Sequence, residues 1–137
     1  EATFSRGERK NTEADFSVSK INTHRKMSQQ RIDLILEMLD KNPSDSYLRY
    51  AIAMEYLAIG EKDVALKELE TVLKKDKSHV ASYPVLGSLY EGKGKVDKAI
   101  ETYQTGMEIA LKKNDTKVIG ALTEALLILN VHNDQPY

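Results

Sequence analysis

Residues 52–69 read IAMEYLAIGEKDVALKEL, and residues 86–103, 34 positions further on, read LGSLYEGKGKVDKAIETY. In this alignment Tyr56 falls on Tyr90, Gly60 on Gly94, Asp63 on Asp97 and Ala65 on Ala99. Similar residues keep step as well: Ile52 with Leu86, Ala53 with Gly87, Leu66 with Ile100, Leu69 with Tyr103, and Leu73 with Met107. A fixed period of this length across a helix–turn–helix unit is the signature of a solenoid, whose units bury their apolar faces only against their neighbours.

The register also decides how Gly92-Lys93-Gly94-Lys95 should be read. Alone, glycines and lysines ahead of a helix suit a phosphate loop, because the free N–H groups of a helix start attract anions. Gly94, however, repeats Gly60, so both glycines belong in the turn that ends one helix. Asp97 repeats Asp63 in the first turn of the next helix, where a carboxylate favours the helix dipole and repels phosphate. Lys93 and Lys95 have no counterparts at Ile59 and Glu61, and they read as local surface charge.

Helical patterning extends outward from these two units. Ile32, Ile35, Leu36 and Leu39 recur at helical spacing after Ser28, and Asn42-Pro43 ends that run. The segments that follow predict a unit over 46–79, a second over 80–113, and a final helix over 115–130. Pro84 lies near a helix start, where proline is tolerated. Residues 1–26 carry no sustained apolar stripe, only Phe4, Phe16, Val18 and Ile21 among polar residues. They read as a polar tail or linker, or as an added segment ahead of a natural start at Met27. The expected architecture is all-α: antiparallel helix hairpins in a right-handed solenoid, two full repeats preceded by a half-repeat helix over 28–41 and followed by a capping helix.

Composition removes most other classes. The chain has 137 residues, 20 basic against 21 acidic, and no cysteine. Balanced charge gives no electrostatic basis for nucleic-acid binding. Without cysteine there are no disulfides or thiolate metal sites. No apolar run reaches the ~18 residues of a membrane span, and we read the chain as cytoplasmic. His24, His79 and His132 are far apart in the chain, and neither a paired-histidine motif nor a GxxxxGK[ST] loop occurs. The expectation is no enzyme, no metal and no cofactor, with no nucleic-acid or membrane partner.

The repeat resembles the tetratricopeptide repeat family. That family places a bulky apolar and a small residue side by side on its first helix, with an aromatic three positions on. A small residue and a large one four further follow on the second helix. Ile52-Ala53, Tyr56, Ala65 and Leu69 match in one unit; Leu86-Gly87, Tyr90, Ala99 and Tyr103 match in the next. Pro43 falls where the closing proline of a preceding unit would lie, whereas Lys77 and Leu111 replace it in the full units. Arg31 and Gly106 stand where the family has a small or packing side chain.

The resemblance implies a protein-interaction module, with the first helices of successive units lining a concave surface. Carried onto this sequence, it makes Tyr47, Tyr50, Met54, Leu57, Ser88, Glu91, Val118 and Leu122 candidate peptide-binding residues. The helix over 46–59 is apolar on nearly every side and needs two covers. Its second cover would be another part of the chain, a partner segment, or another copy in a homodimer. The lysines and asparagines with which some members clamp acidic chain ends are absent at Tyr50 and Met54. Similarity to the 35-residue repeats that read RNA is poor. A self-associating structural unit and a nucleic-acid- or nucleotide-binding repeat are the alternatives to a groove that takes up a partner peptide or helix.

Overall fold

The computed structural model describes residues 13–133, and the side chains of 17–130. These residues form six helices: α1 (Glu13–Lys41), α2 (Ser46–Ala58), α3 (Lys62–Lys75), α4 (Ser82–Gly92), α5 (Val96–Lys113) and α6 (Thr116–Asn133). Each helix packs on the next along the chain, and α4 also touches α6. The pairs α2–α3 and α4–α5 are the two repeats.

The two repeat turns close in the same way. Gly60 and Gly94 sit at φ +84° and +77°, a left-handed conformation that glycine adopts without steric penalty. Glu61 N–H donates back to Tyr56 C=O and Lys95 N–H to Tyr90 C=O, both at 2.9 Å, which satisfies carbonyls that the helix end leaves open. The stretch around Gly94 is therefore a helix-ending turn. Asp45 caps α2 by accepting from Leu48 N–H at 3.0 Å, and Asp115 does the same for Val118 N–H at 3.2 Å.

One continuous core runs through α2 to α6 and includes Ala53, Ala65, Leu69, Leu86, Tyr90, Ala99, Tyr103 and Leu122. A smaller cluster of Ile32, Leu39 and Ile52 seats α1 on α2, and Tyr56 packs against both clusters. Ser28 is fully buried in α1. Arg31, the residue that stands out in the family pattern, is half exposed and pairs with Glu55 at 2.6 Å. That hydrogen bond, partly opposed by desolvation, holds the Glu55 carboxyl below its ordinary range. Gly106 also acquires a reason. A Cβ there would lie 2.5 Å from Tyr83 Cβ, so its absence makes room for the tyrosine.

The structure corrects the start of the first helix. It begins at Glu13, where a polar tail was expected, so residues 13–26 are helical. Residues 17–27 are all exposed and present no apolar stripe for a periodicity argument to find. Extending an existing helix needs no new nucleus, so a polar stretch can continue α1 outward from its packed half. Arg25 helps to hold this part, donating to Ile59 C=O at 3.0 Å. Residues 1–12 of the expected tail lie outside the described residues. No helix among the described residues is long and apolar enough to cross a membrane.

Candidate partner-binding groove

Helix α4 divides a concave surface into two depressions that share Pro84 and Ser88. The larger, about 840 Å³, is lined by Leu57 of α2, Lys62, Asp63 and Leu66 of α3, and Val85, Leu89, Gly92 and Lys93 on the other side. The smaller, about 270 Å³, lies between α4 and α6 and is lined by Glu91, Tyr103, Ala121, Glu124, Ala125 and Ile128. Ser88 is exposed and lines both, so the two depressions adjoin at Pro84 and Ser88 of α4.

The floor is apolar and the rims are charged. Lys93 Nζ meets Asp63 Oδ1 at 2.5 Å and ties the second repeat to the first across the larger depression. This pair holds the Asp63 carboxyl below its ordinary range. Lys93 thus tethers the two repeats, a contact with no repeated counterpart because Ile59 occupies its place in the first unit. In the smaller depression the Tyr103 hydroxyl donates to Glu91. Burial first, and then that carboxylate, raise the Tyr103 pKa well above the ordinary phenol value. Tyr90 donates to Glu70 at 2.6 Å, and burial and that bond raise it likewise.

The candidate residues from the sequence are distributed unevenly. Leu57, Ser88 and Glu91 line the groove. Tyr50 and Met54 are half-buried against the core, and the Tyr50 ring sits 4.8 Å from that of His79. The connection between α3 and α4 therefore supplies part of the cover that α2 needs. Tyr47 is 72% exposed and lines neither depression.

Val118 and Leu122 require correction, because both are buried in the core, at 8% and 0% exposure. The groove face of α6 consists of Ala121, Glu124, Ala125 and Ile128. Helix α6 starts in register with α4, at Thr116 against Ser82. Yet Val118 and Leu122 are buried where their equivalents Pro84 and Ser88 line the depressions, so α6 turns a different face to the core. Apolar residues surround most of α6, so its own periodicity gave no competing signal.

Among the described residues no group of three or more His, Asp or Glu could hold a metal ion.

Comparison with known proteins follows the same lines. The tetratricopeptide repeat family model matches residues 81–113. A tetratricopeptide repeat domain protein from Salinibacter ruber is 35% identical, with a TM-score of 0.61, over 63% of this chain and 96% of that one. The Yersinia enterocolitica type III secretion translocator chaperone SycD gives a TM-score of 0.73 at 12% identity, over 88% of this chain and 83% of that one. Protein BPP2914 from Bordetella parapertussis gives 0.65 at 22% identity, over 77% and 96%. These last two share the fold alone. No curated protein matches.

Proposed function

The chain belongs to the tetratricopeptide repeat family, whose repeats mediate protein–protein interaction, and from that premise we propose that its groove across α4 takes up an apolar segment of a partner protein. The observation that carries this reading is the continuity of the two depressions through Pro84 and Ser88. Leu57, Leu66, Val85 and Leu89 offer apolar contact on one side, and Ala121, Ala125 and Ile128 on the other. Partner segments bound in such grooves gain affinity from apolar side chains seated in depressions.

Ser88 gives a clean test because it is exposed and lies at the centre. Ser88→Trp places a large ring across both depressions without removing any core contact. Selection from a displayed random-peptide library should enrich apolar peptides on the native protein. The Ser88→Trp protein, with an unchanged melting temperature, should lose those peptides. A library that yields no peptides, or peptides indifferent to Ser88→Trp, would overturn the groove.

Self-association is a second reading, favoured by Val18 and Ile21 on α1 and Leu127 and Ile128 on α6, all more than half exposed. A mass that rises with protein concentration in sedimentation would support it.

A further inference from the structure

The two ends of the groove differ in charge. The smaller depression carries Glu91 and Glu124 and is lined by no basic side chain. At the larger depression Asp63 is already neutralised by Lys93 at 2.5 Å, and Lys62 adds a positive charge to the same rim. Between them lie Pro84 and the exposed Ser88, which carry no charge. A ligand is therefore met by negative potential at the α6 end and by net positive potential at the α3 end.

Resting on the groove reading above, we infer that the groove selects an extended, apolar partner segment bearing a lysine or arginine, with the basic group seated between Glu91 and Glu124. The apolar anchor occupies the larger depression beside Leu57 and Leu89. Packed helices are 8–10 Å apart, so depressions on either side of α4 are separated by on the order of 10 Å. About three extended residues cover that distance, at ~3.3–3.6 Å each. This sets the recognised spacing: an apolar residue and a basic one three positions apart. At about 270 Å³ the second depression accommodates a side chain and not a helix, whose diameter is ~10–12 Å. Glu91 is held in place by the Tyr103 hydroxyl, which limits the side-chain freedom that binding would cost. Glu124 is exposed and free to adjust. Complementary charge of this kind fixes binding direction and rejects wrong partners more than it adds raw affinity.

The test uses the full chain and the peptides selected in the library experiment. Enrichment of lysine or arginine three positions from an apolar residue is expected. A fluorescein-labelled selected peptide, followed by anisotropy, should bind about two- to fivefold more weakly when its basic residue is replaced by glutamine. Glu124→Gln should weaken the native peptide by a similar factor and leave the glutamine peptide unaffected. Glu124→Lys should turn the preference toward the corresponding glutamate peptide. The charge inference is overturned, with the groove intact, if selected peptides carry no basic enrichment yet are lost on Ser88→Trp. It is likewise overturned if Glu124→Gln weakens the basic and the glutamine peptides equally. Failure to select any peptide overturns both readings together.

Discussion

The two repeats solve the same packing problem with different residues. At one helix–helix contact the first repeat has Ala53 and Leu69, where the second has Gly87 and Tyr103. All four are buried. A Cβ added at Gly87 would lie 2.2 Å from a Tyr103 ring carbon, so the smaller residue on one helix compensates the larger one on the other. A second exchange lies one turn along, where Val72 corresponds to Gly106 and Arg49 to Tyr83. Gly106 leaves space for the Tyr83 ring. In the first repeat Val72 is fully buried, while Arg49 is partly buried and bonds Glu68 at 3.1 Å and Pro43 C=O. At the Ala53–Leu69 and Gly87–Tyr103 contact the repeat keeps the summed volume, because close-packed interiors tolerate exchange of shape better than a change of volume. At the second contact the volume is not kept, and an ion pair takes the place of the tyrosine.

The strongest way to break this comparison is at Gly87. Alanine favours a helix interior over glycine by ~0.8–1 kcal/mol. Here the added methyl collides with a ring that is only 2% exposed and whose hydroxyl is tied to Glu91. Gly87→Ala should therefore destabilise the protein by about 1–3 kcal/mol. With Tyr103→Leu already present, the second repeat has the contact of the first. Gly87→Ala should then reverse sign and stabilise by up to ~1 kcal/mol. Urea unfolding of the four proteins of this cycle measures the coupling, and additive effects would refute compensation.

Alkaline pH sharpens the contrast next. Leu69 has no proton to lose, whereas Tyr103 and Tyr90 are buried phenols whose pKa values are raised in the fold. An unfolded tyrosine ionises near 10. Stability from these groups is thus complete below about pH 10 and is lost as pH rises toward the folded values, because the unfolded chain releases protons the native one keeps. The urea midpoint should fall between pH 8 and pH 11, and the double variant Tyr90→Phe with Tyr103→Phe should flatten that decline.

The smallest effect is expected outside the repeats. Residues 17–27 of α1 are exposed, and Arg25 donates a hydrogen bond from this segment to Ile59 C=O of the repeat body. A chain shortened to begin at Met27 should lose less than about 1 kcal/mol, with a nearly unchanged thermal midpoint, because surface contacts of this kind contribute little. A large drop would mean that the extended half of α1 is part of the cooperative unit.

The repeat units were legible because their signals are local. Gly60 and Gly94 mark the turns, Asp63 and Asp97 the following helix starts, and the small–aromatic pattern the hairpin contacts. Ser88 and Glu91, which line the depressions, followed by simple translation. Ala121, Glu124 and Ile128 did not, since α6 begins in register with α4 but buries the positions, Val118 and Leu122, whose equivalents in α4 line the groove. Neither did the Lys93–Asp63 tether, which joins different units and repeats nowhere. The outer half of α1 escaped because exposed helix carries no burial pattern.

The sequence by itself thus determined that the chain is a two-unit helical repeat with its turns at the two glycines, because backbone conformation and apolar periodicity are written in neighbouring residues. Tertiary structure alone decided which side of α6 faces the groove, where opposite charges collect along it, and why Gly87 and Gly106 are glycine. Those depend on the relative rotation and close approach of whole helices, which side chains distant in the chain settle together.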